Sequence, residues 1–254
     1  MIELAHISDV HLSPLPRFSP LALANKRLTG YLHWVFTRKD RLRRDTATEL
    51  VRHMLRANPD LIAVTGDLVN LALPAEIDRA AGWLASLGPP GRVAVVPGNH
   101  DAYVPGALDR CAKAWGDYMK GQRLGDARFP YIKRKGEVAL IGCSSAVATA
   151  PFMATGQFDV GQAGRLQEAL RLTGEEGLFR VVMIHHAPTA EWASGRRGLR
   201  GAGRFRIAVE RAGAELILHG HLHESTVSAI PGPHGDVPVV GVAAVSAAPG
   251  LGGA

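Results

Sequence analysis

Cysteine is almost absent: Cys111 and Cys143 are the two in 254 residues, too few for a disulfide framework and without the CxxC spacing of a thiolate metal site. They read as reduced, partly buried thiols. Runs of about 18 apolar residues are missing too, so no segment has the length of a membrane-spanning helix. The N-terminal MIELAHISD enters strand-like alternation at once, with no basic n-region, apolar h-region or cleavage site, and the expectation is a cytoplasmic protein. No internal repeat, low-complexity tract or RNA- or DNA-binding motif stands out. What is present, 46% hydrophobic and 20% charged residues, is the composition of an ordinary globular chain. With no boundary visible, it reads as one domain over residues 1–254.

The net charge of +6 is local. Residues 17–45 hold eight basic residues (Arg17, Lys26, Arg27, Arg38, Lys39, Arg41, Arg43, Arg44) against Asp40 and Asp45, and the remaining chain is balanced. A second basic stretch, SGRRGLRGAGRFR at 194–206, reads as a loop leading into a helix, either a solvated surface or a phosphate-facing one.

Short β-rich runs recur and each ends in polar residues: ELAHISDVH, DLIAVTGD, RVAVVPGNHD, EVALIGCSS, FRVVMIHH, ELILHGHLH and VPVVGVAAVS. Several are continuously apolar, as strands buried on both faces should be. Between them TATELVRHMLRA, with Asp45 as its expected cap, AEIDRAAGWLASL, VGQAGRLQEALRL and GRFRIAVERAG have helical spacing. Alternating strands and helices imply a layered α/β fold, in which ligands gather beyond the carboxyl ends of the strands.

The polar ends share one chemistry. They supply Asp9 and His11, Asp67, Asn99 and His100, His185 and His186, then His219, His221 and His223. Carboxylates, an amide oxygen and imidazoles are hard to borderline ligands, suited to divalent Zn, Mn or Fe. Asp9 and His11 stand two apart, as do His221 and His223, so in an extended segment each pair points to one side. Taken singly, DVH, GDLVN or IHHAP has an ordinary structural explanation; three histidines in the five residues of HGHLH are hard to place in a core. All five motifs, each closing a strand, make a metal-site inventory.

The order DxH, GDxxN, GNHD, HHxP, GHxH resembles the calcineurin-like metallophosphoesterases, from Asp9 to His223, with every metal-binding position filled. GQFDVGQAGRLQEAL and RRGL look like two further family segments. The resemblance implies a four-layered αββα sandwich, two mixed β-sheets flanked by helices. It implies two divalent metal ions, one held by Asp9, His11, Asp67 and His223, the other by Asp67, Asn99, His185 and His221. His100 would face the substrate, Asp101 would orient it, and Gly98 would let the backbone turn; His186 is a weaker candidate than His185. Seven ligating residues with two carboxylates leave excess positive charge for an anionic phosphate ester. Two-metal chemistry then activates a bridging water for in-line displacement. The family pattern ordinarily continues into at least one more strand beyond VSAAPGLGGA.

The connection at 14–44, between DVH and the first helix, is the clue to substrate, because long loops beside a site are usually functional. After Pro20, apolar residues at Leu21, Ala24, Leu28, Tyr31, Leu32 and Val35 form one helical stripe, widened by Trp34 and Phe36 and followed by the basic run Arg38 to Arg44. Such a helix either packs on the body or meets an anionic lipid surface. Three functions are therefore open: a soluble phosphodiesterase, for instance on a cyclic nucleotide; a membrane-surface pyrophosphatase or diesterase on a lipid-linked substrate such as UDP-diacylglucosamine; and a scaffold without catalysis, which a full ligand set argues against. Oligomeric state leaves no mark in the sequence.

Overall fold

The computed structural model describes residues 1–38, 44–192 and 195–247. The basic run at 39–43 and the tail from 248 lie outside the described residues. In chain order the first elements are β1 (Leu4–Ile7), α1 (Arg27–His33), α2 (Arg44–Arg56), β2 (Leu61–Val64), α3 (Pro74–Leu87), β3 (Val93–Val95) and α4 (Ala107–Trp115). Then come β4 (Gln122–Arg123), β5 (Tyr131–Lys135), β6 (Val138–Gly142), β7 (Gly156–Gln157), α5 (Val160–Glu175) and β8 (Phe179–Met183). The chain continues through β9 (Leu199–Arg200), α6 (Ala202–Ala212), β10 (Leu216–His219), β11 (Thr226–Gly232) and β12 (Gly235–Gly241).

β1, β2 and β3 form a three-stranded sheet in which each neighbouring pair is parallel, Ile7 opposite Val64 and Val64 opposite Val95. The larger sheet has the order β11-β12-β10-β8-β6-β5-β4. Its central strands β12, β10, β8 and β6 are parallel, and β11, β5 and β4 add antiparallel edges. The large sheet is thus mixed, whereas the small one is wholly parallel.

Side-chain alternation builds the layers. On the large sheet, Leu140, Val181, Met183 and Leu218 join the core of the small sheet and α3, while Ala139, Ile141, Val182 and Ile217 join a second core under α5 and α6. Successive strand residues point to opposite faces, so continuous runs such as VALIG fill two cores at once. The small sheet is covered likewise: Leu61, Ile62, Ala63 and Val64 are all buried, which is why they read as an unbroken apolar run. The expected α/β sandwich, helices outside and sheets inside, is the observed one.

The seam between the sheets carries its own polar fastening. β3 ends the small sheet, so the carbonyls of Val93 and Val95 have no neighbouring strand on their outer side. Two side chains of β5 replace it: Tyr131 donates to Val95 O at 2.7 Å, and Lys133 Nζ donates to Val93 O at 2.7 Å as well as to Pro90 O and Tyr118 O. An edge carbonyl buried without a donor would be costly.

The insert differs from one continuous stripe. Asn25 stands at the interruption, its side-chain oxygen accepting the Arg27 amide at 2.9 Å, and the short turn Pro20–Leu23 and α1 are separate elements. Arg27 and Trp34 face inward, while Leu28, Leu32 and Phe36, four residues apart, face solvent. The stretch at 194–206 likewise holds more than a loop, since Leu199–Arg200 pair in parallel with β7 before α6 begins.

Tyr131→Phe keeps the shape of a fully buried ring but leaves Val95 O without its donor. The expected loss is about 1–2 kcal/mol of unfolding free energy, measured by urea denaturation.

Candidate metal centre

The motifs stand at strand ends. Asp9 and His11 follow β1, Asp67 follows β2, Asn99 to Asp101 follow β3, His185 and His186 follow β8, and His221 and His223 follow β10. All five strands run parallel to their neighbours, so their carboxyl ends meet where the two sheets adjoin, the position at which α/β folds collect ligands.

The backbone there is not extended. Asp9, His11, Asp67, His221 and His223 have φ of 53°, 42°, 55°, 69° and 63°, five of the eight non-glycine residues with positive φ among the described residues. Such conformations are unfavourable for side chains with a Cβ and persist where the surroundings enforce them. Here the amides of Asp9 and His11 are tied to Gly66 O at 3.0 Å and Asp67 O at 2.9 Å. Asp9 and His11 converge because of this left-handed turn, not because alternate residues of a strand share a face.

Three overlapping groups bring ligand atoms within 4.8 Å of one another: Asp9, His11 and His223; Asp67, His185 and His221; and His11, Asp67 and His100. His223 Nε2 lies 3.2 Å from Asp9 Oδ1 and 3.3 Å from His11 Nε2. On the other side His185 Nε2 is 3.5 Å from Asp67 Oδ2 and 3.2 Å from Asn99 Oδ1. Asp67 is common to both sides, with His11 Nε2 at 3.8 Å. All seven expected ligands therefore converge.

Three of the four expected imidazole ligands, His11, His185 and His221, are oriented by a backbone carbonyl, which makes the bonded nitrogen the donor and turns the other inward. Nδ1 of His11 donates to Val69 O at 3.2 Å and Nδ1 of His185 to Thr65 O at 2.6 Å. His221 is reversed, Nε2 donating to Arg197 O at 3.0 Å, so Nδ1 is the nitrogen that would be left for a metal. These carbonyls belong to Val69, Thr65 and Arg197, residues whose side chains give no hint of the task.

The residues fit divalent cations. Asp9 Oδ1 is buried and has the imidazole of His223, at 3.2 Å, close to it without a well-formed hydrogen bond, so its charge is balanced by the neighbouring imidazoles and would be balanced further by a cation. Burial alone would raise both carboxyls, yet the imidazoles of His223 and His185 hold those of Asp9 and Asp67, respectively, below the usual carboxylate range. Burial likewise opposes the charged form of His185, yet Asp67 and Asp9 push it up to about 9. A field that draws a proton so strongly draws a metal in its place. The set contains oxygen and nitrogen donors but no thiolate, a combination that suits Mn, Fe or Zn.

Among the described residues, His186 and His219 stand outside the three ligand groups. His186 shares a hydrogen bond of 2.7 Å with Ser145 Oγ and donates to Ala154 O at 3.1 Å; burial and the adjacent His185 push it down to about 3, so it is a neutral ring packed 4.2 Å from His221. His219 is tied to Gly220 O and Thr226 Oγ1.

Asp101 has a different task from the one expected. Its Oδ2 accepts from the amides of Asp67 at 2.9 Å and Gly98 at 2.8 Å, and its Oδ1 from those of Leu68 and Val69. It orients two loops rather than the His100 ring, whose Nδ1 donates to Asn70 O at 2.5 Å. Burial and the charge of Asp67 push its carboxyl up to about 7, against the pull of the Gly98 and Val69 amides. Gly98 also has another reason: its φ is not positive, but a Cβ there would run into the Asp67 carboxylate.

The sequence profile of the calcineurin-like phosphoesterases matches residues 2–225. The chain belongs to this family. No curated protein matches it in sequence, but solved structures share the fold. A dimetal phosphatase from Danio rerio aligns at 15% identity with a TM-score of 0.62, over 98% of this chain and 89% of that one. The NAD nucleotidase NadN of Haemophilus influenzae aligns at 13% and 0.54 over 96% of this chain and 45% of that one. The purple acid phosphatase PPD1 of yellow lupin (Lupinus luteus) aligns at 11% and 0.56 over 97% and 44%. This phosphoesterase therefore spans less than half the length of the last two. Its family makes it a phosphoric-ester hydrolase with a metal-binding His/Asp cluster.

The phosphoesterase cluster opens into a cavity of about 790 Å³. Its floor includes Asp67, Asn99, His100, His221 and His223; Thr29, His33 and Trp34 of the insert form one wall, and Phe152 to Ala154 with Arg196 and Arg197 another. Beside His100 lies Tyr103, its ring stacked at 5.2 Å. Tyr103 follows GNHD by two residues, and that proximity was the available signal for it.

Asn99→Ala removes the neutral oxygen beside His185 and leaves the group around Asp9 intact. Metal analysis of the purified variant after dialysis is expected to give about half the wild-type metal per chain, with the fold retained by circular dichroism.

Proposed function

We propose that the protein hydrolyses a phosphodiester at a pair of divalent cations, one on Asp9, His11, Asp67 and His223 and the other on Asp67, Asn99, His185 and His221. The observation that carries this reading is two adjoining ligand groups, Asp9 with His11 and His223 and Asp67 with His185 and His221, linked by the 3.8 Å approach of His11 Nε2 to Asp67 Oδ2. Two cations so held polarise phosphoryl oxygens and acidify a water. The chain supplies the rest. Two carboxylates among seven ligands leave the floor of the cavity electropositive towards an anionic ester. His100, its Nδ1 anchored on Asn70 O, presents Nε2 to the cavity, where the protonated ring donates to the leaving oxygen or to the charge growing on phosphorus. The cavity lining supplied by the insert and by Phe152 to Ala154, Arg196 and Arg197 offers surface beyond the cluster for the second substituent of a diester, which a monoester lacks.

A second reading concerns where the substrate comes from. Leu28, Leu32 and Phe36 are 48%, 46% and 80% exposed on one side of α1 and its extension, and Lys39, Arg41 and Arg43 follow in sequence. Phe152, 75% exposed, adds an apolar side chain to the lining of the same cavity. An apolar stripe followed in sequence by cations suits the surface of an anionic bilayer. On this reading the protein works at the inner face of a membrane on a lipid-linked phosphate; among the described residues, no helix is long and apolar enough to cross one.

His100→Ala is expected to keep the wild-type metal content and lose roughly a hundredfold in kcat on bis(4-nitrophenyl) phosphate; normal turnover would end the role given to His100. For the lipid reading, wild-type protein should co-sediment with phosphatidylglycerol vesicles and the Leu28→Ser/Leu32→Ser/Phe36→Ser variant should not. Absence of wild-type binding at low salt leaves the soluble diester as the substrate.

A further inference from the structure

We propose that Arg27, carried by the insert, is a positioning residue for His100, so that α1 takes part in turnover as well as forming a wall of the cavity. The proposal rests on the reading of His100 as the side chain that faces the substrate.

The connection runs through the backbone of residues 70–73. The His100 ring takes its direction from Asn70 O, to which Nδ1 donates. The strand-to-helix loop that aims this carbonyl is gripped from two sides. On the amide side, the buried carboxylate of Glu76 accepts from Asn70 N at 2.8 Å and from Leu71 N and Leu73 N at 3.0 Å. On the carbonyl side, Arg27 donates from Nε to Leu71 O and from Nη2 to Ala72 O, both at 2.8 Å. Between the two grips Ala72 is held at φ 52°, a left-handed conformation that a residue with a Cβ does not keep unaided.

Arg27 is 8% exposed. Packing α1 on the body would be served by an apolar side chain at lower desolvation cost; a guanidinium adds direction, two donors in a rigid plane that fix two successive carbonyls. One turn further along α1, Gly30 lies against Tyr103 so closely that a Cβ would collide with Tyr103 Oη and meet Leu71. The Tyr103 ring stacks on His100 at an interplanar angle of 15°, and Lys26 Nζ lies 4.5 Å over the same ring. The helix thus touches both the loop that orients His100 and the ring that supports it.

The test compares Arg27→Gln, Arg27→Lys and Gly30→Ala, each in the wild-type and in the His100→Ala full-length chain. Metal content, thermal midpoint, kcat and KM are read on bis(4-nitrophenyl) phosphate and on methyl 4-nitrophenyl phosphonate. In the wild-type background Arg27→Gln is expected to lower kcat roughly tenfold with KM and metal content within twofold, and Arg27→Lys to recover part of the loss. In the His100→Ala background the same change costs nothing further, because the residue it positions is gone. Should Arg27→Gln fail to fold, Arg27→Lys and Gly30→Ala carry the same comparison. Equal losses in both backgrounds, or losses that follow metal content, overturn the proposal while leaving the role of His100 standing. Normal turnover of His100→Ala alone removes that role, and the proposal with it.

Discussion

The buried carboxylate of Asp101 binds the amides of Asp67, Leu68, Val69 and Gly98, and the metal centre is assembled around that contact. It joins the loop after β2 to the loop after β3, so that Asp67 and Asn99 arrive together. It also compensates amides that the left-handed turn at Asp67 leaves outside any strand ladder. The close approach it enforces excludes a side chain at Gly98, where a Cβ would occupy the space of the Asp67 carboxylate. An active-site constellation needs such a support, because ligands placed on loops are only as accurate as the groups that hold the loops.

The position of the site on the seam between two sheets sets a second requirement. The cluster residues after β1, β2 and β3 must keep register with those after β8 and β10, though among the described residues no strand pairing joins the two sheets. Tyr131 and Lys133 meet the requirement by donating to the outer carbonyls of β3, and the shared core of Leu140, Met183 and Leu218 with Val64 and Val95 fills the space between. A small shift along this seam would separate His185 from Asp67. Its fastening is therefore part of the chemistry as much as of the stability.

The insert shows how an apolar pattern divides between two duties. Arg27, Gly30, Tyr31 and Trp34 serve the body, and Leu28, Leu32 and Phe36 are left to solvent. A single helical stripe would have placed Leu28, Tyr31 and Leu32 on one buried face. The break at Asn25 and a buried guanidinium turned the helix about its axis instead, since satisfying two loop carbonyls outweighs burying one more leucine.

Residue identity alone determined the chemistry of this protein. Carboxylate, amide and imidazole at strand ends could be counted in the sequence, and the structure gathers those residues into one cluster, because residue type and motif order survive in one dimension. The layers were legible too, since a run such as VALIG must be buried on both faces. α4 was not anticipated, although Ala107, Cys111 and Trp115 mark its buried side at a spacing of four. What only the tertiary structure decided is how the residues are held. The carbonyls of Thr65, Val69, Asn70 and Arg197 that orient the imidazoles have no side-chain signature. The task of Asp101 depends on amides 32 to 34 residues away in the chain. The left-handed turns at Asp9, His11 and Asp67 arise because backbone hydrogen bonds between loops, which no local pattern records, outweigh the local preference of each residue.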